Sequence, residues 1–82
     1  MSEPVDQRYK NYLHDFGLLA KEFALQAKTD TKDAPEDAAS FRIGYLCGFH
    51  RILSLMQQQA EAFNIPLKEL GLDDFDADRD LV

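Results

Sequence analysis

Little in this sequence can serve as covalent or catalytic hardware. Its 82 residues hold one cysteine, no tryptophan, three prolines and four glycines. The single Cys47 excludes an internal disulfide framework and suits a reducing compartment. No basic start followed by an apolar stretch reads as an export signal. Apolar runs are short as well. The longest unbroken one, Ile43 to Phe49, falls far below the roughly 20 residues that a membrane crossing needs. We therefore expect a cytoplasmic protein with no membrane segment.

Positive charge is also scarce. Nine Lys and Arg face fifteen Asp and Glu, a net charge of −6. The imbalance is local: residues 1–68 carry −1, and residues 69–82 carry −5. Direct nucleic-acid binding draws its affinity mainly from Lys and Arg on phosphates, so it is not expected here.

Chemical motifs are few. There is no phosphate-cradling glycine loop, no nucleophile elbow and no Glu-x-x-His element of the di-iron bundles. Cys47-Gly-Phe-His50 places a thiol and an imidazole one helical turn apart. Doubled by a two-fold axis, it would supply ligand types that zinc accepts. Both residues sit on the more polar side of their helix, however, and the Cys-x-x-Cys signature is missing. His14 and Asp15, as helix neighbours, diverge by about 100° and form no relay alone. The expectation is a non-enzymatic protein with no cofactor and no metal, a metal-binding bundle through Cys47 and His50 being an alternative.

What the sequence does have is helical periodicity. After Ser2-Glu-Pro4, which reads as a helix start, apolar residues fall at 5, 9, 12, 16, 19 and 23, widened by Leu13, Ala20 and Ala27. This predicts an amphipathic helix over about 4–29, broken by the polar cluster Thr29 to Asp33. Asp33-Ala-Pro-Glu36 follows a capping-box pattern, so a second helix is predicted over about 34–64 and ends before Pro66. Pro66 to Gly71 predicts a short helical turn closed by glycine. Ile65, Leu67, Leu70 and Leu72 should fold over one end of an antiparallel hairpin. The predicted class is all-α, with a hairpin domain over 1–72 and an acidic tail over 73–82.

The second helix is too apolar for one neighbour. Phe49, Met56 and Phe63 define one line, with Tyr45 and Ile52 on one side and Leu46, Leu53 and Ala60 on the other. Phe41, Gly48, Leu55 and Ala62 form a further row, so the arc spans about 160° where one partner uses about 100°. Leu18 and Leu25 project from nearly the opposite side of helix one to Tyr9, Phe16 and Phe23. A symmetric dimer, two hairpins making a four-helix bundle, would cover this excess. A monomeric three-segment bundle and an obligate complex with another protein are the alternatives. Each of Gly44 and Gly48 costs about 1 kcal/mol relative to alanine in a helix. Their spacing lets backbones approach closely, unless they make room for Tyr12 or Phe16. Gly17 would be the counterpart of either arrangement. The expected dimer interface is Leu18, Leu25, Phe41, Gly44, Gly48 and Leu55.

In the tail, acids alternate with Phe75, Ala77, Arg79 and Leu81. An extended chain would set an acidic ridge against a partly apolar one. Calcium is excluded, because Leu81 stands where the loop needs glycine and no twelfth-position Glu follows. Asp74, Phe75, Asp76, Asp78, Asp80 and Leu81 are the candidate partner-binding residues, as a docking strand or as groove-filling acids. A solvated tail that keeps the protein soluble is the plain alternative. The functional expectation is a helical protein-interaction or regulatory module that self-associates and presents this tail. An acidic, antitoxin-like inhibitor or nucleic-acid mimic that blocks a basic site is the other.

Overall fold

The computed structural model describes residues 5–82, so the predicted start at Ser2 to Pro4 lies outside the described residues. Two long antiparallel helices dominate. Helix α1 spans Val5–Lys32 and α2 spans Ala39–Ala62. A 3₁₀ turn, Glu36–Ala38, leads into α2, and another, Leu67–Leu70, follows it. A single helical turn, α3, closes the chain at Ala77–Asp80. No strand occurs among the described residues.

The ends of α1 and α2 differ from expectation for identifiable reasons. Helix α1 runs through the polar cluster because its hydroxyls bond back one turn: Thr29 Oγ1 donates to the Leu25 carbonyl and Thr31 Oγ1 to the Ala27 carbonyl. Thr31 Oγ1 also reaches the Arg42 carbonyl at 3.2 Å, tying the two helices. The Asp33–Glu36 capping box does not form. Pro35, at ψ 155°, caps the 3₁₀ turn without a side-chain bond. A residue before proline disfavours helical geometry, so helical backbone starts only after Pro35.

The far end of α2 lies at Ala62, ahead of Pro66. Asn64 takes the left-handed conformation, φ 56°. The Ile65 amide then donates to the Ala60 carbonyl and the Asn64 amide to the Glu61 carbonyl. Those two bonds satisfy carbonyls the helix end would orphan. Gly71, φ 68°, repeats the device after the second 3₁₀ turn, with Leu72 N–H donating to the Leu67 carbonyl.

The core reverses the expected roles of large and small residues. On α1 the residues facing inward are Gly17, Ala24 and Ala27, with Ala20 half-buried. Tyr9, Tyr12, Phe16, Leu19 and Phe23 are exposed. On α2 the buried line is Leu53 and Ala60 with Leu46 half-buried, while Phe63 is 71 % exposed. Small side chains on α1 leave room beside it, and that space is filled in large part by the chain after α2. Leu70, Leu72, Phe75, Ala77 and Leu81 are all buried there with Ala24, Leu53 and Ala60.

Residues 73–82 are therefore not a tail outside the hairpin, and no extended two-faced ridge forms. Phe75 and Leu81 bury their side chains in the core, at 6 % and 3 % exposure. The reason lies at Asp76, whose carboxylate accepts from the Asp78 and Arg79 amides. This N-cap starts α3, and one turn of helix puts Ala77 and Leu81 on the same side.

Candidate interaction surface

Covering one side of the hairpin with residues 65–82 leaves the other side bare. The exposed apolar row of α1 is Tyr9, Tyr12, Phe16, Leu19 and Phe23, with steps of three and four. That of α2 is Phe41, Tyr45, Gly48, Ile52 and Leu55, with steps of four and three. Alternating three–four spacing is the seam that one helix offers another. Since the helices are antiparallel neighbours, the two rows lie side by side on one face.

That face has shape. Phe16 and Ala20 of α1 and Gly44, Tyr45, Gly48 and Ile52 of α2 line an open groove of about 390 Å³. Phe16 also lines, with Leu19 and Phe23, a smaller hollow of about 270 Å³. Nothing lies within 4 Å of where a Cβ at Gly44 or Gly48 would stand. The glycines thus make room neither for Tyr12 nor for Phe16; they leave a notch open to solvent. The rings around it are mutually supported: Tyr12 packs tilted against Phe16 at 5.9 Å, and Tyr45 meets Phe49 edge-on at 5.1 Å. Ring pairs at such distances hold each other in place.

The six expected interface residues are divided by the fold. Phe41, Gly44 and Gly48 belong to this face, and Leu55, 45 % exposed, sits at its edge. Leu18 does not. It is half-buried beside Gly71, where an added methyl group would meet its Cβ at 3.3 Å, so it serves the chain's own fold. Leu25 is exposed, but on the side of α1 away from the aromatic row. Gly17 is no counterpart of the α2 glycines; it lies under the backbone of Leu70. Tyr9, Tyr12, Phe16, Leu19 and Phe23, whose spacing marks α1 as amphipathic, lie on the open face, as do Tyr45 and Ile52. The signal for the buried side of α1 is the row Gly17, Ala20, Ala24 and Ala27, whose small side chains leave room for the C-terminal segment and α2.

On the opposite side, polar groups fasten the C-terminal segment. Lys21 Nζ meets Asp74 at 2.9 Å, and Lys28 Nζ donates to the Asp80 carbonyl at 2.9 Å. His50 Nε2 lies 2.8 Å from Asp78, and Gln57 donates to the Phe75 carbonyl at 2.7 Å. Arg79 binds both oxygens of Asp80, at 2.8 and 2.7 Å. Those bonds, with one from the Asp76 amide, hold the Asp80 carboxyl down at about 2 and raise Arg79. The Lys21 hydrogen bond likewise lowers Asp74. The acids read as a docking ridge are thus largely engaged within the chain.

Cys47 is exposed and His50 is turned to Asp78. Among the described residues, no group of three His, Cys, Asp or Glu side chains is placed to hold a metal ion. His14 and Asp15 approach to 3.7 Å, both exposed. No described helix is long and apolar enough to cross a membrane. No protein-family model matches the chain, and no curated protein or solved structure matches it.

Proposed function

We propose that this chain is a non-enzymatic helical interaction module that associates with a second copy of itself through the aromatic face, forming a four-helix bundle. The observation that carries this reading is the size of the bare apolar face relative to the core. Among the described residues, nine hydrophobic side chains are buried, and four of them are alanines. The accessible surface is 6134 Å², whereas a folded monomer of this mass has about 5,000 Å² by the usual scaling. The excess of roughly 1,100 Å² is close to the ~800 Å² that each partner contributes to a standard interface. The Cα radius of gyration, 14.8 Å, likewise exceeds the about 11.7 Å of a compact chain this long. Pairing two hairpins face to face removes both excesses at once.

Large contiguous apolar patches on a soluble chain mark association sites. The three–four seams on both helices favour helices as the partner, because knobs and holes then repeat along the whole face. The C-terminal segment gives the other side a charged, polar surface, so association is directed to one face. Light scattering tests the reading. The expected mass is twice the 9.4 kDa of one chain, and Tyr45→Glu returns it to one chain mass. Cys47→Glu, on the opposite side of α2, leaves the dimer intact. A wild-type mass of one chain at high micromolar concentration overturns the reading.

A further inference from the structure

Resting on the self-association reading, we infer the arrangement of the two copies: α1 of each hairpin lies across α2 of the other, and the turn Phe16 to Leu19 of one copy enters the Gly44–Gly48 notch of the other. Two flat hairpins can meet face to face about a two-fold axis in two ways. An axis parallel to the helices sets α1 over the other copy's α2. An axis running across them sets α1 on α1 and α2 on α2.

Side-chain volume separates these arrangements. The α1 row is bulky throughout, from Tyr9 through Tyr12, Phe16 and Leu19 to Phe23. The α2 row is interrupted at its centre, where Gly44 and Gly48 leave open space. Bulky rows meeting each other would overfill the interface, and glycine facing glycine would leave a void. Interiors tolerate neither, since they are close-packed and both faults are costly. Bulk against notch fills the space once, and symmetry repeats the fit on the other half. A surface that contains both the knob and the hole is complementary to its own copy.

The level of the contact follows from the same axis. Rotation about a line parallel to the helices leaves each residue at its own height along the bundle. Phe16 and Ala20 share one groove with Gly44 and Gly48 and so stand level with them. The second copy's Phe16 to Ala20 turn then arrives at that height, with Phe16 and Leu19 pointing to the notch. Crossed seams of this kind leave α1 and α1 of the two copies on a diagonal, out of contact.

Disulfide trapping tests the arrangement. In a Cys47→Ser background, Leu19→Cys and Gly48→Cys chains are made separately, mixed in equal amounts and oxidised. Both sites are exposed, so the variants fold. The expected product is the mixed disulfide, several-fold over either homodisulfide. A second measurement is Gly48→Leu, which keeps its helical circular dichroism while dimer dissociation constants rise at least tenfold. A dominant Leu19→Cys homodisulfide, or a light-scattering dimer that gives no mixed product, overturns the arrangement and leaves self-association standing. A light-scattering monomer overturns self-association and the arrangement with it.

Discussion

Gly17 lies directly beneath the carbonyl oxygen of Leu70, so close that a methyl group on Gly17 would overlap that oxygen. The second 3₁₀ turn can sit down on α1 only because position 17 has no side chain. Gly17→Ala improves helix propensity by about 1 kcal/mol, yet here it must push the turn away. Overpacking of a close contact costs about 1–3 kcal/mol, so the net effect is destabilising. Thermal or urea unfolding should show a lower midpoint for Gly17→Ala than for wild type. An unchanged or raised midpoint would mean that Leu70 does not rest on α1.

The inverted wheel of α2 makes a paired prediction. Leu53 has no exposed surface, while Phe63 is largely in solvent. Leu53→Ala opens a cavity between α1, α2 and the C-terminal segment, at a cost of about 2–5 kcal/mol. Phe63→Ala removes a larger side chain and should cost under about 0.5 kcal/mol, as exposed changes do. Urea unfolding of the two variants gives the comparison directly. Equal losses would place the centre of the buried face back on the Phe49–Phe63 line.

What the sequence made legible was local. Pro66 and Gly71 stand just past the ends of α2 and of the second 3₁₀ turn, and each acts on its own backbone. The excess apolar arc of α2 was visible too, since it depends only on spacing. The direction of each face was not. Placing the centre of α1 on its largest residues points to Tyr9, Phe16 and Phe23. The buried line, Gly17 and Ala24, lies about 100° further round the helix. Small residues carry little hydrophobicity, so packing through them leaves a faint pattern. The fate of Phe75 and Leu81 was hidden for another reason. Alternating acids look extended until Asp76 is recognised as an N-cap, and the choice between those conformations depends on core space that only the hairpin provides.

Asp76 is accordingly the residue that turns the C-terminal segment inward. Its carboxylate accepts from the Asp78 amide at 2.9 Å and more weakly from Arg79 at 3.4 Å. Asp76→Ala removes the cap, a loss of about 1 kcal/mol. Because α3 is a single turn, that loss falls on local opening rather than on α1 and α2. Amide exchange should accelerate several-fold at Asp80 and Leu81, whose amides bond to Asp76 and Ala77 carbonyls. The amides of α1 should keep their rates. Trypsin cleavage after Arg79 should speed up in parallel, and an unchanged cleavage rate would count against the cap.

Acid should release the same segment before it unfolds the hairpin. The Asp80 carboxyl is held at about 2, chiefly by the Arg79 hydrogen bonds and the Asp76 amide, against an ordinary 3.8. Asp74 is lowered by Lys21. A carboxyl lowered in the folded state binds its proton more readily when the chain is unfolded. Its stabilising contribution is therefore complete above the ordinary value and fades as pH falls toward the folded one. For Asp80 that window runs from about 4 down to about 2. Asp74 and Arg79 are exposed, and Lys21 and Asp80 are only partly covered, so the contribution is modest and weakened by salt. The expected record is a set of Asp76 to Leu81 amide resonances that shift and broaden between pH 4 and 2, while those of α2 hold. Asp80→Asn lacks the titrating group and should flatten the pH dependence, with weaker anchoring already present at pH 7. If wild type and Asp80→Asn lose the segment along the same acid curve, the Arg79–Asp80 pair is not what fastens it.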